Sequence, residues 1–160
     1  MPRVYVSVGS NIEPADNIRS AMAMFKKRYP EFTLSSVYES QAVGFEGDNF
    51  YNFVIGFDTE DDVHKVAAVL REIEDTHARD RSGPRFSART IDFDLLTYGD
   101  LIAEEMNIPR DEIAKNAFVL LPLAEIAPET HHPILKESFG AMWEAFDKSR
   151  QELWKIEFQW

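Results

Sequence analysis

The apolar spacing of this chain changes period along its length, and the order of those changes narrows the folds it can form. Val4, Tyr5, Val6, Ser7 and Val8 make a short apolar run closed by Gly9-Ser10-Asn11, the pattern of a buried strand. Asp16 or Asn17 is placed to cap a helix reaching about Tyr29, with Ile18, Ala21, Met22 and Phe25 on one stripe and Pro30 as its stop. Phe32 to Ser40 reads as a second strand, Gln41 to Asn49 as a glycine-bearing loop, and Phe50 to Thr59 as a third strand. Thr59 followed by Glu60, Asp61 and Asp62 predicts a helix start, a hydroxyl cap and then acids at the positive end of the dipole. Val63, Val66, Ala67, Leu70, Ile73 and His77 continue that helix. After an aperiodic loop over 78–88, Ser87 to Gly99 forms a fourth strand. The order strand–helix–strand–strand–helix–strand is the ferredoxin-like βαββαβ plan of the α+β class. Its helices pack on one face of an antiparallel sheet and leave the other for additions or a site. Beyond it come the apolar stretch AFVLLPLAEIAPE, a helix at about 136–147 and a terminal strand through Trp154, Ile156 and Phe158. No repeat or linker interrupts the chain, so residues 1–160 are expected to form one domain.

The fourth strand, SARTIDFDLLTYG, carries an anomaly. Side chains alternate across a strand, so Ile91, Phe93 and Leu95 share one face while Asp92 and Asp94 share the other. Their Cα atoms lie about 6.5–7 Å apart. Two carboxylates at that range repel, and water, an arginine or a bound cation must compensate them. A strand face turned to solvent fits the pattern. So does a hard-cation site, since magnesium takes one or two carboxylates together with waters and substrate phosphates.

Charge sharpens the choice. The net charge is −11, which disfavours a nucleic-acid partner. Yet Arg71, Arg79, Arg81, Arg85 and Arg89 fall within nineteen residues. Arginine suits a bidentate grip on phosphate, so the cluster points to a small anionic ligand; a solvated charged loop is the other reading, because Asp75 and Asp80 lie among the arginines. Paired acids beside arginines suit nucleotide phosphoryl chemistry, where positioning and charge neutralisation do most of the work. The glycine-rich phosphate loops G-x-x-x-x-G-K-[ST] and G-x-G-x-x-G are missing. Gly9-Ser10 with D-x-D suggests a polymerase-β-like nucleotidyltransferase, but some eighty residues separate the two elements here. His64, His77, His131 and His132 lack zinc-ligand spacing. With no cysteine, no thiolate site or disulfide is available. With no leader-like start and no long apolar run, the chain is expected to be cytoplasmic and free of membrane.

Further motifs occur in a fixed order: Gly9-Ser10-Asn11, SSVYES from Ser35, FYNF around Asn52, REIED around Glu74, Arg79-x-Arg81, RTIDFDLLTYG from Arg89 and AFVLLPLAEIAP from Ala117. In these the chain resembles the 6-hydroxymethyl-7,8-dihydropterin pyrophosphokinases of folate biosynthesis, over about residues 3–130. The resemblance implies transfer of the pyrophosphate of ATP to the pterin hydroxymethyl group, release of AMP, two magnesium ions bound with ATP, and a monomer. It implies Asp92 and Asp94 as metal ligands, and Arg79 and Arg89 as the catalytic arginines. Nucleotide contacts fall to Arg71, Arg81, Arg89, Leu95 and Arg110. The pterin falls to Asn52, Phe118, Phe86, Phe50 and Val43, with Glu74 as a supporting acid that orients the arginine loop.

The chain departs from the family pattern in places. Gln41-Ala42-Val43-Gly44 replaces a proline pair before glycine, and Arg71 stands where a glutamine is common. Phe86 stands where the family usually has a tryptophan, and Gly83-Pro84 precedes Arg85 rather than Arg89. After Pro109, Arg110-Asp111 replaces a histidine and an aromatic; Arg110 offers a permanent charge to the nucleotide phosphate in the histidine's stead. These departures leave two other outcomes open: a noncatalytic pterin- or nucleotide-binding module, and a magnesium-dependent nucleotidyltransferase or phosphatase.

Overall fold

The computed structural model describes residues 1–41, 49–77 and 91–160. β1 (Arg3–Ser10) leads into α1 (Pro14–Arg28), and β2 (Thr33–Leu34) and β3 (Val37–Ser40) precede β4 (Phe50–Asp58). α2 (Val63–His77) and β5 (Asp92–Tyr98) complete the βαββαβ order, with β2 and β3 as two halves of its second strand. α3 (Ala117–Ile126), α4 (Phe139–Ala145) and β6 (Leu153–Ile156) follow. The sheet runs β5-β1-β4-β3-β6, with β2 also paired to β4, and every pairing is antiparallel.

Odd and even positions of the strands feed two separate cores. Val4, Val6, Val8, Phe53, Ile55, Phe57 and Phe93 meet Ile18, Met22 and Phe25 of α1 and Val66, Leu70 and Ile73 of α2. Tyr5, Val54 and Leu96 meet Leu120 and Leu123 of α3 and Phe139 and Met142 of α4. Helices therefore cover both faces, with the C-terminal pair added where the βαββαβ plan leaves a face open. Phe25 anchors the first core: it is fully buried, and its ring centroid lies 5.2 Å from Phe57, 5.7 Å from Phe32 and 6.2 Å from Phe93.

Several boundaries differ from the sequence reading. α1 begins at Pro14, earlier than a cap at Asp16 or Asn17 allows, because proline's fixed φ suits the first helical position. Asn17 is buried instead and donates to the Ile12 carbonyl at 2.6 Å. α2 is capped by Asp62, whose Oδ1 accepts from Lys65 N at 2.8 Å. Thr59 Oγ1 accepts from Asp61 N in the preceding turn. The second strand breaks at Ser35-Ser36. There Glu125 of α3 accepts from Ser36 N, Ser36 Oγ and, at 2.8 Å, from the Tyr38 hydroxyl. The apolar stretch from Ala117 is a helix despite Pro122; that proline removes one bond to the Phe118 carbonyl, and burial outweighs the loss. Gln151, just before β6, closes the start of α3: its Oε1 accepts from Ala117 N at 2.7 Å and its Nε2 donates to the Lys115 carbonyl at 2.8 Å.

Truncating the central ring, Phe25→Ala, should lower stability by about 3–5 kcal/mol. Urea unfolding checks this as a fall in midpoint at constant slope.

Candidate functional site

The site grows from the register of β1. Gly9 pairs with Asn52 on one side and with Asp92 on the other. Ser7 likewise pairs with both Val54 and Asp94. Directly paired residues point to the same face of a sheet. Val54 belongs to the α3 core, so Asp92, Asp94 and Asn52 all face the α3 side. Asp92 and Asn52 are two strand spacings apart, about 10 Å, and only Gly9 lies between them. An added Cβ at Gly9 would come within 2.9 Å of Asn52 Oδ1, so the missing side chain makes room for the carboxamide. Asn52 is buried, and its Nδ2 donates to Ser40 Oγ at 3.1 Å. Phe50, two residues before Asn52, starts β4 on the same face and is half-buried. Phe118 lies in the first turn of α3, half-buried between the buried Ala117 and Val119.

Among the described residues β5 pairs only with β1, so the carboxylates lie at the edge of the described sheet. Glu74 reaches that edge from α2 and accepts from Phe93 N, between the two aspartates, at 2.9 Å. Its described contact is thus with β5. Further along the edge, Arg110 N donates to the Leu96 carbonyl at 2.9 Å. The Arg110 guanidinium lies 3.6 Å from Asp94 Oδ1, and its Nε donates to Glu112 Oε1 at 2.7 Å. Burial raises the Asp94 carboxyl to about 7; Arg110 opposes the rise, while Asp92, Glu112 and Glu74 add to it. A third of the side chain stays open, so water relieves part of that burial. For Arg110 burial works against the charge, but Asp94 and Glu112 outweigh it and hold the guanidinium protonated.

This donor set suits a magnesium ion carried with a polyphosphate. Among the described residues no three His, Asp or Glu side chains are grouped to enclose a metal. Two carboxylates on one strand match an ion that takes its remaining ligands from water and substrate.

Other expected site residues are placed as follows. Arg71 is exposed on α2, one turn before Glu74. Leu95 turns its side chain to the α1–α2 core, away from the carboxylates, and Leu96 alternates to the opposite core; a bulge opposite Tyr5 and Val6 shifts the register after Leu95. Its main chain, between the capped positions Phe93 and Leu96, is the part that can reach a ligand at the edge. Val43, Arg79, Arg81, Phe86 and Arg89 lie outside the described residues. Gly9, read in the sequence as a strand end and the first motif in the series, is also the gap between Asn52 and Asp92. Ser40 and Glu112 adjoin the candidate site and were not singled out in the sequence.

A profile of the family described as 7,8-dihydro-6-hydroxymethylpterin-pyrophosphokinase (HPPK) matches residues 5–128. The chain belongs to the HPPK family. The 2-amino-4-hydroxy-6-hydroxymethyldihydropteridine pyrophosphokinase of Pseudomonas aeruginosa is 35% identical over 138 residues, 82% of this chain and 84% of the relative. The protein of the same name from Aquifex aeolicus is 32% identical over 144 residues, 86% of this chain and 88% of the relative. Among solved structures, wild-type Plasmodium falciparum HPPK-DHPS with STZ-DHP shares the fold, with a TM-score of 0.67 at 15% identity over 89% of this chain. This HPPK-family chain spans 41% of that longer protein. No helix among the described residues is long and apolar enough to cross a membrane.

The raised Asp94 group has a stability consequence with a definite sign. Between about pH 4 and 7 the folded state holds a proton that the unfolded carboxylate has lost, so stability falls as pH rises through that window and levels off above it. In divalent-free buffer, Asp94→Asn should therefore melt higher than the parent at pH 8. That margin should close toward pH 4 in thermal scans.

Proposed function

We propose that this chain transfers the pyrophosphoryl group of ATP to the hydroxymethyl group of 6-hydroxymethyl-7,8-dihydropterin. The pterin hydroxyl oxygen attacks the β-phosphorus, the bridging bond to the α-phosphate breaks, AMP leaves, and the hydroxyl proton passes to solvent. The observation that carries this reading is the row Asp92–Gly9–Asn52 across β5, β1 and β4, which joins an acidic edge to a buried carboxamide on one face. Family membership and relatives named as pyrophosphokinases support it.

Each residue has a distinct task. Asn52, held through one N–H by Ser40, keeps its second N–H and its carbonyl for a pterin edge. A planar heterocycle that pairs with a carboxamide is rejected when its own donors and acceptors change, because the buried amide is then left unpaired. Phe118 and Phe50 offer aromatic surface to the ring. Asp92 and Asp94 hold magnesium, two ions in all, which would neutralise the phosphate oxygens as charge shifts toward AMP. Arg110, fixed in charge, faces the same phosphates; Arg79, Arg81 and Arg89 supply further guanidinium groups, and Arg71 meets the base. The Leu95 main chain at the sheet edge offers an N–H and a carbonyl to the purine edge. Residues 1–160 act as one catalytic domain, and as a monomer.

Incubation with ATP, magnesium and the hydroxymethyl pterin should release AMP. ADP as the product would reject pyrophosphoryl transfer, and ATP binding without AMP would mark a binding module. Asp92→Asn and Asp94→Asn should each lower turnover at least about a thousandfold, as expected for a lost transition-state charge interaction of about 4 kcal/mol. Circular dichroism should show the fold retained. Asn52→Ala should weaken pterin binding about ten- to a hundredfold, the weight of one or two buried hydrogen bonds, with little effect on ATP affinity by calorimetry.

A further inference from the structure

Glu112 holds two side chains that serve different substrates. It lies in the 3-10 turn Asp111–Ala114 and is half-buried. Its Oε1 accepts from Arg110 Nε at 2.7 Å, and its Oε2 accepts from Asn116 Nδ2 at 3.2 Å. Arg110 reaches from there to Asp94, 3.6 Å away, on the acidic edge. Asn116 starts α3: its carbonyl accepts from Val119 N and Leu120 N at 3.1 and 3.0 Å, and its own N–H donates to the Glu112 carbonyl at 2.9 Å. Phe118 lies in that first turn. One carboxylate thus bridges the guanidinium beside the metal ligands and the turn that carries the pterin-facing ring.

The bridge is stiff. The guanidinium is a planar fork, so an oxygen held at Nε sets the direction of the other donors. A polyphosphate that draws on those donors therefore pulls on Glu112, and the pull passes to the Asn116 side chain. We propose that Glu112 is a positioning residue that couples nucleotide binding to pterin binding through Arg110 on one side and Asn116 on the other. The inference rests on the assignment of Arg110 to the nucleotide and Phe118 to the pterin. A shift of Arg110 that keeps both hydrogen bonds carries the start of α3 with it, and the coupling is reciprocal, as any linkage between two binding equilibria must be.

The test is calorimetry with a nonhydrolysable ATP analogue plus magnesium and with 6-hydroxymethyl-7,8-dihydropterin, each alone and with the other saturating. In the parent each ligand should tighten the other at least about fivefold. In Glu112→Ala that factor should fall below about twofold. In Asn116→Ala, which leaves the Glu112–Arg110 pair in place, the factor should fall likewise while the analogue alone binds within about twofold of the parent. The double variant should lose no more than either single one, as members of one chain do. A purely structural role would lower the melting temperature and weaken each ligand alone while leaving the factor intact; that result overturns the proposal, as does a parent without coupling. If Glu112→Ala fails to fold, Asn116→Ala and Glu112→Gln carry the test, and an unchanged factor in Asn116→Ala overturns it. AMP formation by the parent is scored separately. AMP with intact coupling in the variants rejects this inference alone, whereas absence of AMP rejects the reaction assignment.

Discussion

The double pairing of β1 governs what this sheet can present. A central strand has one set of side chains per face, and its neighbours must match it residue for residue. Because Gly9 meets Asn52 on one flank and Asp92 on the other, the carboxamide and the carboxylates arrive on one face in a fixed order. A slip of one residue between β1 and β5 would turn the acids toward the α1–α2 core around Phe25 and Phe57, and one between β1 and β4 would turn Asn52 there. The aromatic core is therefore also what protects the arrangement of the polar face.

On that face, charge is crowded by construction. Glu74 is held at the edge by a main-chain amide, and Glu112 is held by Arg110 and Asn116. Neither can swing away from Asp94 without giving up a hydrogen bond. The result is a carboxyl group displaced to about 7, a departure of the kind that gathers at working sites. A cation bound among these acids would remove the conflict that the fold maintains. Without one, the fold carries the cost of that crowding on a single face of its sheet.

Much of this was legible in the sequence. Period-two and helical spacing gave the βαββαβ order, and D-x-D on a strand gave the acidic face, because alternation follows from backbone geometry alone. The helix at Ala117 was harder to read: Pro122 argues against one, and only the shared core with Val54, Leu96 and Phe139 explains it. The caps failed for a similar reason. Thr59 and Asp62 are both good caps locally, and the turn that Thr59 makes with Asp61 N leaves the helix start to Asp62. Ile91, Phe93 and Leu95 do share the face that alternation gives them, but the bulge opposite Tyr5 and Val6 that follows them was not legible, because no residue type announces a bulge. Glu112 has local partners in Arg110 and Asn116, but its link to the acidic edge depends on Arg110 reaching Asp94, a contact between separate elements that spacing does not show.

The clasp that Gln151 makes on the start of α3 ties the C-terminal segment to the helix that carries Phe118. That amide comes from a segment anchored on the far side of the sheet, where β6 zips onto β3. The helix bearing Phe118 is thus tethered at its start by a segment that the sheet itself holds in place. A change in this tail can therefore shift the first turn of α3 without altering any residue of that helix.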